Sequence, residues 1–260
     1  MDTSTLPLLI DFDGVLRIGK KPAKHLKEFV EYLFNLKIPA CIISNSTLTD
    51  GKSMLNFFDK NSVEINFPVL TAADATAKYV KEKYKRAAVY CADSIKNLFV
   101  SVLDFNSPEA VVIGDIGKNW NYDIMNEIFR FVMNGADLIA MHKNKFWKTP
   151  DEGLLLDAGA FINGIEYATG KNSILIGKPS PLYFQSGLKA LGLNPGQNFI
   201  MLGDDLETDI KGAKNLNAKT ILIFSGKTGY PLPKNSPVKP DFEAQNLMDV
   251  ITILKNLNGE

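Results

Sequence analysis

Unbroken apolar runs alternate with amphipathic stretches along this chain. "LPLLIDFD" (residues 6–13) is an apolar run closed by two acids, and a run without polar alternation predicts a strand buried on both faces. "PAKHLKEFVEYLFNLK" (22–37) places Leu26, Phe29, Val30, Leu33 and Phe34 on one face at helical spacing. Pro22 stands near its start, where a missing amide costs nothing. "IPACIISNS" (38–46) predicts a second buried strand, and "DGKSMLNFFDK" (50–60) a second helix. The same alternation returns late in the chain. "PLYFQSGLKALG" (181–192) reads as a helix ending at a glycine. "NFIMLGDD" (198–205) and "AKTILIFSG" (218–226) read as strands, with "TDIKGAKNLN" (208–217) a helix between them and "AQNLMDVITILKNL" (244–257) a closing amphipathic helix. Strands of this kind separated by helices indicate a Rossmann-like parallel sheet with helices on both faces, an α/β core.

Between these two regions lie further strand-like runs, "AAVYCA" (87–92), "AVVIGD" (110–115) and "DLIAMH" (137–142), with helical "YDIMNEIFRFVMNG" (122–135) among them. The Phe and Met residues of that helix recur at core spacing. A stretch of about 100 residues suffices for a domain of its own. The expected organisation is therefore a core of residues 1–77 and 175–260, interrupted by an inserted α/β cap domain over 78–174. "GYPLPKNSPVKP" (229–240) is a proline-rich loop, too short to link domains.

Composition narrows the class. The chain has 260 residues, 45% hydrophobic and 22% charged, with Lys plus Arg 29 against Asp plus Glu 29 and a formal net charge of zero. Without a basic excess, neither nucleic acid nor a membrane surface is an expected partner. No apolar run approaches the length of a bilayer span, and "MDTSTLPLLIDFDG" lacks the basic and apolar regions of a signal peptide. Cys41 and Cys91 have no metal-like spacing, nor do His25 and His142. The expectation is a cytoplasmic protein with two buried free thiols.

Polar residues cluster where the strands stop, and ligands of parallel α/β sheets gather at the carboxyl ends of strands. Asp11 and Asp13 end the first run. Two residues apart on an extended strand, they face one way if the extension persists, and crowded carboxylates call for a cation. Mg²⁺ suits oxygen ligands and bridges readily to phosphate. Ser44, Asn45 and Ser46 end the second strand with hydroxyls and consecutive amides, donors suited to phosphoryl oxygens. Lys178 sits in "LIGKPSPLYF" just before a helix, where its ammonium can neutralise phosphate or acids. "IMLGDDLETD" brings Asp204, Asp205, Glu207 and Asp209 after another strand. Each stretch alone has a plain structural reading: a hairpin turn, a Ser/Asn turn, a solvated lysine, acids in the first turn of a helix. Four together favour a site, and "GVLRIG" is read as leading into a helix rather than a returning strand.

In order and spacing, "DFDGVL", "SNST", "GKPSP" and "GDDLETD" resemble the haloacid dehalogenase-like hydrolase superfamily. The inserted domain, above all "KFWKTPDEGLLLDAGAFINGIEYATG" (145–170), resembles the cap of its NagD-like phosphatase branch, near the phospholysine phosphohistidine inorganic pyrophosphate phosphatase-like members. Asp13 stands where that subgroup often carries serine. The resemblance covers essentially the whole chain and implies a Mg²⁺-dependent phosphatase of a small phosphorylated metabolite. It implies Asp11 as nucleophile, and Asp13 as general acid and base with its backbone carbonyl on Mg²⁺. It further implies Asp204 as a metal ligand, and Asp205 and Asp209 as residues orienting ligands or waters. Ser44, Asn45, Ser46 and Lys178 then hold phosphoryl oxygens, and a homodimer through the cap follows by the same resemblance. His142, Lys143 and Trp147 either contact a leaving group or pack. Alternatives on the same fold are a phosphotransferase or mutase and a non-catalytic phosphate sensor, whose signature would be loss of Asp11 or Asp13.

Overall fold

The computed structural model describes residues 6–149 and 152–259. Pro150 and Asp151, within the segment that resembles the cap, lie outside the described residues, as do residues 1–5. The chain divides into two compact units, residues 6–44, 51–70 and 178–259 in one and residues 45–50 and 71–177 in the other.

The first unit begins with β1 (Leu8–Ile10), a small hairpin of β2 (Arg17–Ile18) and β3 (Lys21–Pro22), α1 (Leu26–Asn35), β4 (Ala40–Ser44), α2 (Gly51–Lys60) and β5 (Val69–Thr71). The second unit contributes α3 (Ala72–Lys83), β6 (Ala87–Tyr90), β7 (Ala110–Ile113), α4 (Tyr122–Met133) and β8 (Asp137–Ala140). It continues through β9 (Phe146–Thr149), β10 (Gly153–Leu156), α5 (Ala158–Thr169) and β11 (Ile174–Leu175). The chain then returns to the first unit with α6 (Pro181–Ala190) and β12 (Ile200–Gly203). A wide helical turn over Leu206–Lys211 runs into α7 (Gly212–Lys214), and β13 (Lys219–Ile223), β14 (Phe242–Ala244) and α8 (Leu247–Asn258) follow.

The first unit is built on a six-stranded sheet of order β14-β13-β12-β1-β4-β5, with the registered pairs parallel. Leu8 and Ile10 are buried with Phe29 and Leu33 of α1 and Val250 of α8. Leu9 points to the opposite face, where a Cβ on Gly187 of α6 would stand 3.0 Å from it. Both faces of β1 are thus covered, which is why the run carries no polar alternation. Each large apolar side chain buried in this way stabilises the fold by roughly 1.5–3 kcal/mol. Strand order reverses at β1, since the chain first proceeds outward through β4 and β5 and then returns on the other side with β12. The crevice beyond the carboxyl ends of β1, β4 and β12 is where such a sheet holds ligands.

The second unit has its own parallel sheet, β11-β8-β7-β6, and an antiparallel pair, β9 with β10. α4 and α5 cover one face through Ile128, Val132, Ile162 and Ile165. Among the described residues, no helix is long and apolar enough to cross a membrane.

Several expectations change. The boundary at 78 falls inside α3, which belongs whole to the second unit and is opened by a capping box between Thr71 and Asp74. Residues 45–50 also belong to that unit. The segment after Gly14 does form a returning hairpin, β2 with β3, although it stays outside the main sheet. Pro22 therefore sits in β3, and α1 starts at Leu26 after His25 in left-handed backbone at φ 65°. The helix expected over 208–217 begins earlier, at Leu206, as a turn wide enough for Ile210 N–H to reach Asp205 carbonyl at 3.2 Å.

Candidate active site

β1 stops at Ile10, and Asp11 N–H is still paired to Leu202 carbonyl on β12 at 2.9 Å. The chain then folds over, with Leu16 and Arg17 N–H both reaching Phe12 carbonyl, and Gly14 takes φ 83°. The period of two is lost in this turn. Asp11 is 8% exposed, whereas the Asp13 side chain is 54% exposed and paired to Arg17, whose Nη2 lies 2.6 Å from its Oδ1. Arg17 also stacks over Phe12 at 4.6 Å. The Asp13 carboxylate is therefore turned to Arg17 at the surface, while that of Asp11 is buried at the strand end.

Three acids do meet. Asp11, Asp204 and Asp209 are all buried and place one carboxylate oxygen each within 4.8 Å of one another. Asp204 follows β12 directly, and Asp209 is carried back to the strand end by the wide turn over Leu206–Lys211. Gly203 leaves room for it, since a Cβ there would stand 2.4 Å from Asp209 Oδ2. Asp209 thus stands beside Asp11 and Asp204. Asp205 turns elsewhere: it caps the turn by accepting Glu207 N–H at 2.9 Å and pairs with Lys227.

Lys178 is 2% exposed, so the solvated-lysine reading falls. Its Nζ lies 2.7 Å from Asp11 Oδ1 and 2.8 Å from Asp209 Oδ1. Two of the three buried carboxylates pair with this ammonium, and the third stands beside them, leaving acids in excess of positive charge. Burial, assisted by Asp209 and Asp204, lifts Asp11 well above the usual carboxylate range against the pull of Lys178. Burial and Asp209 push Asp204 up to about 6. Burial alone would lower Lys178, but Asp11 and Asp209 outweigh it and hold the ammonium above its ordinary value. An excess of buried oxygen donors over positive charge fits a divalent cation of the hard class.

Ser44, 2% exposed, ends β4 beside β1. Its carbonyl accepts the Tyr183 hydroxyl at 2.5 Å, and the same hydroxyl lies 2.8 Å from Leu70 carbonyl. Asn45 and Ser46 continue into the second unit, where Ser46 carbonyl accepts Ala73 N–H at 3.3 Å. In that unit His142 is 3% exposed. Its Nδ1 accepts Asn144 N–H at 3.2 Å and its Nε2 lies 3.7 Å from Asp157 Oδ1. Lys143 pairs with Glu166 at 2.6 Å. Both thus have partners within the second unit. Trp147 instead lines an open cavity of about 1010 Å³ together with Tyr90, Phe105 and Glu127.

The segment Ser225–Thr228 was not singled out from the sequence, yet it grips the acids. Lys227 N–H donates to Asp204 Oδ2 at 2.5 Å, and Thr228 Oγ1 donates to Asp204 carbonyl at 2.6 Å. The available signal was "ILIFSGKT", one more buried strand ending in small and polar residues.

The first unit is thus a parallel α/β sheet with clustered carboxylates at the carboxyl ends of its strands, interrupted in sequence by a second α/β unit. Comparison with known proteins gives the family. The family model described as haloacid dehalogenase-like hydrolase matches residues 8–102, and a second of the same kind matches residues 175–250. Haloacid dehalogenase-like hydrolase domain-containing protein 2 of Bos taurus is 30% identical over 221 residues, covering 85% of this chain and 84% of that protein. Phospholysine phosphohistidine inorganic pyrophosphate phosphatase of Mus musculus is 31% identical over 263 residues, 97% of this chain and 95% of the other. Among solved structures, 4-nitrophenylphosphatase from Thermotoga maritima superposes with a TM-score of 0.85 at 26% identity, covering 96% and 97% of the two chains. NagD from E. coli K-12 shares the fold with a TM-score of 0.83 at 24% identity, covering 94% and 97%. The chain belongs to the haloacid dehalogenase-like hydrolase family.

Proposed function

We propose that this protein is a Mg²⁺-dependent phosphatase that hydrolyses a small phosphorylated metabolite through an aspartyl-phosphate on Asp11. The observation that carries the reading is the buried meeting of Asp11, Asp204 and Asp209 around Lys178. Asp11, Asp204 and the backbone carbonyl of Asp13 would hold the metal, with Asp209 beside them. Bound there, Mg²⁺ would supply positive charge that offsets the phosphoryl oxygens.

A carboxylate oxygen of Asp11 attacks phosphorus, and the bond from phosphorus to the leaving oxygen breaks. Asp13 gives that oxygen a proton, then takes one from the water that attacks the aspartyl-phosphate. The bond to Asp11 breaks, and inorganic phosphate leaves. Ser44, Asn45 and Ser46 donate hydrogen bonds to the phosphoryl oxygens, and Lys178 offsets charge shared with Asp11. Positioning and neutralisation account for most of the catalysis in phosphoryl transfer, and this set of groups is suited to both.

Phosphate release from a panel of phosphomonoesters and pyrophosphate, with Mg²⁺ and with EDTA, tests the reading for wild type and Asp11→Asn. Turnover that needs Mg²⁺ and disappears in the variant supports it. Turnover retained by Asp11→Asn would sink it. Self-association through the inserted domain is a separate part of the proposal. Sedimentation of the full chain as a monomer would remove it.

A further inference from the structure

We propose that the loop Ser225–Thr228 is a positioning device that sets Asp204 for its cation, an inference resting on the reading of Asp204 as a Mg²⁺ ligand. The carboxylate of Asp204 lies in a slot between two glycines. A Cβ on Gly226 would stand 1.9 Å from Asp204 Oδ2, and one on Gly14 would stand 2.0 Å from it. No side chain larger than hydrogen fits on either wall.

The loop then fixes the residue at both ends. Lys227 N–H donates to Oδ2 at 2.5 Å, which holds the carboxylate in one orientation. Thr228 holds the Asp204 carbonyl twice, through its N–H at 3.1 Å and its Oγ1 at 2.6 Å. Ser225 Oγ donates to Gly14 carbonyl at 2.7 Å, tying the loop to the turn that follows Asp11. Lys227 Nζ pairs with Asp205, next in the chain to Asp204. One four-residue loop therefore joins the segments carrying two of the three clustered acids. A ligand whose rotamer is already locked binds metal without first ordering itself, and groups that orient metal ligands affect affinity directly. Thr228, Ser225 and Gly226 act through Asp204 and are positioning residues.

Titration of EDTA-stripped full-length protein with Mg²⁺ by calorimetry reads this without relying on turnover. Thr228→Val and Ser225→Ala should each weaken Mg²⁺ by about 10–100-fold, while Thr228→Ser, which keeps the hydroxyl, should bind as wild type does. Thermal melts identify the variants that fold. Ser225→Ala removes one hydroxyl only and carries the test if Thr228→Val does not fold. Wild-type affinity in both Thr228→Val and Ser225→Ala, with binding abolished in Asp204→Asn, would overturn the positioning role and leave the metal reading standing. Absence of Mg²⁺ binding by wild type would overturn both.

Discussion

Lys178 Nζ lies 2.7 Å from Asp11 Oδ1, and both groups are buried at the end of the sheet. Breaking a buried pair from one side leaves an uncompensated charge, which typically costs about 3–5 kcal/mol. Lys178→Met should lose stability of that order in urea denaturation of metal-free protein at neutral pH, as well as activity. A loss below about 1 kcal/mol would mean that the acids reach water or take up protons without penalty.

Asp13 offers a contrast, because its carboxylate is exposed and turned to Arg17. Asp13→Asn keeps the backbone carbonyl and removes the carboxylate proposed to transfer the proton. It should lower kcat by about 10²–10⁴-fold while Mg²⁺ affinity stays near that of wild type. Calorimetry beside steady-state kinetics separates the two. Equal losses in both would place the Asp13 carboxylate on the metal.

The hydroxyl of Tyr183, a fully buried residue, lies against the carbonyls of Ser44 and Leu70. Tyr183→Phe keeps the ring but strips both carbonyls of this donor, which should cost about 1–3 kcal/mol. Chemical denaturation measures it. An unchanged midpoint and slope would show that the hydroxyl does not pin the end of β4.

Within the inserted domain, burial raises the pKa of Glu166, but hydrogen bonds from Lys143 and Ser173 outweigh it and hold the carboxyl below its ordinary value. A depressed acid contributes stability that is complete above its unfolded pKa of 4.5. That contribution is lost as pH falls through the lower folded value. Glu166→Gln should therefore melt earlier than wild type at pH 7, with the gap closing in acid below pH ~4. A gap constant with pH would assign the effect to packing.

The elements most legible in sequence were those whose burial is continuous. β1, β4, β12 and β13 carry apolar runs because both faces of the sheet are covered. α1 and α8 show a one-sided stripe because each packs on the sheet by one face only. Short elements such as β2, β3 and β14 left no such trace, since two or three residues are too few for a period. The start of α1 was misplaced for a related reason. Pro22 is compatible with a first helical turn and with an exposed strand, and the hairpin before it decides which.

For the cluster, residue types and strand ends are readable, so Asp11, Lys178 and Asp204, which the structure brings together, stand out from the chain alone. Which carboxylates converge is not. Two acids two residues apart share a face only while the backbone stays extended, and the turn at Gly14 sends Asp13 toward Arg17. Asp209 lies five residues beyond Asp204, and reaches the cluster because the wide helical turn brings it back. Thr228 is 217 residues from Asp11 in the chain; its bond to Asp204 arises from the pairing of β12 with β13. Local composition encodes where a strand ends and what chemistry its end can offer. Convergence of side chains distant in sequence depends on backbone direction at a few turns and on strand order, which are settled by packing the whole sheet.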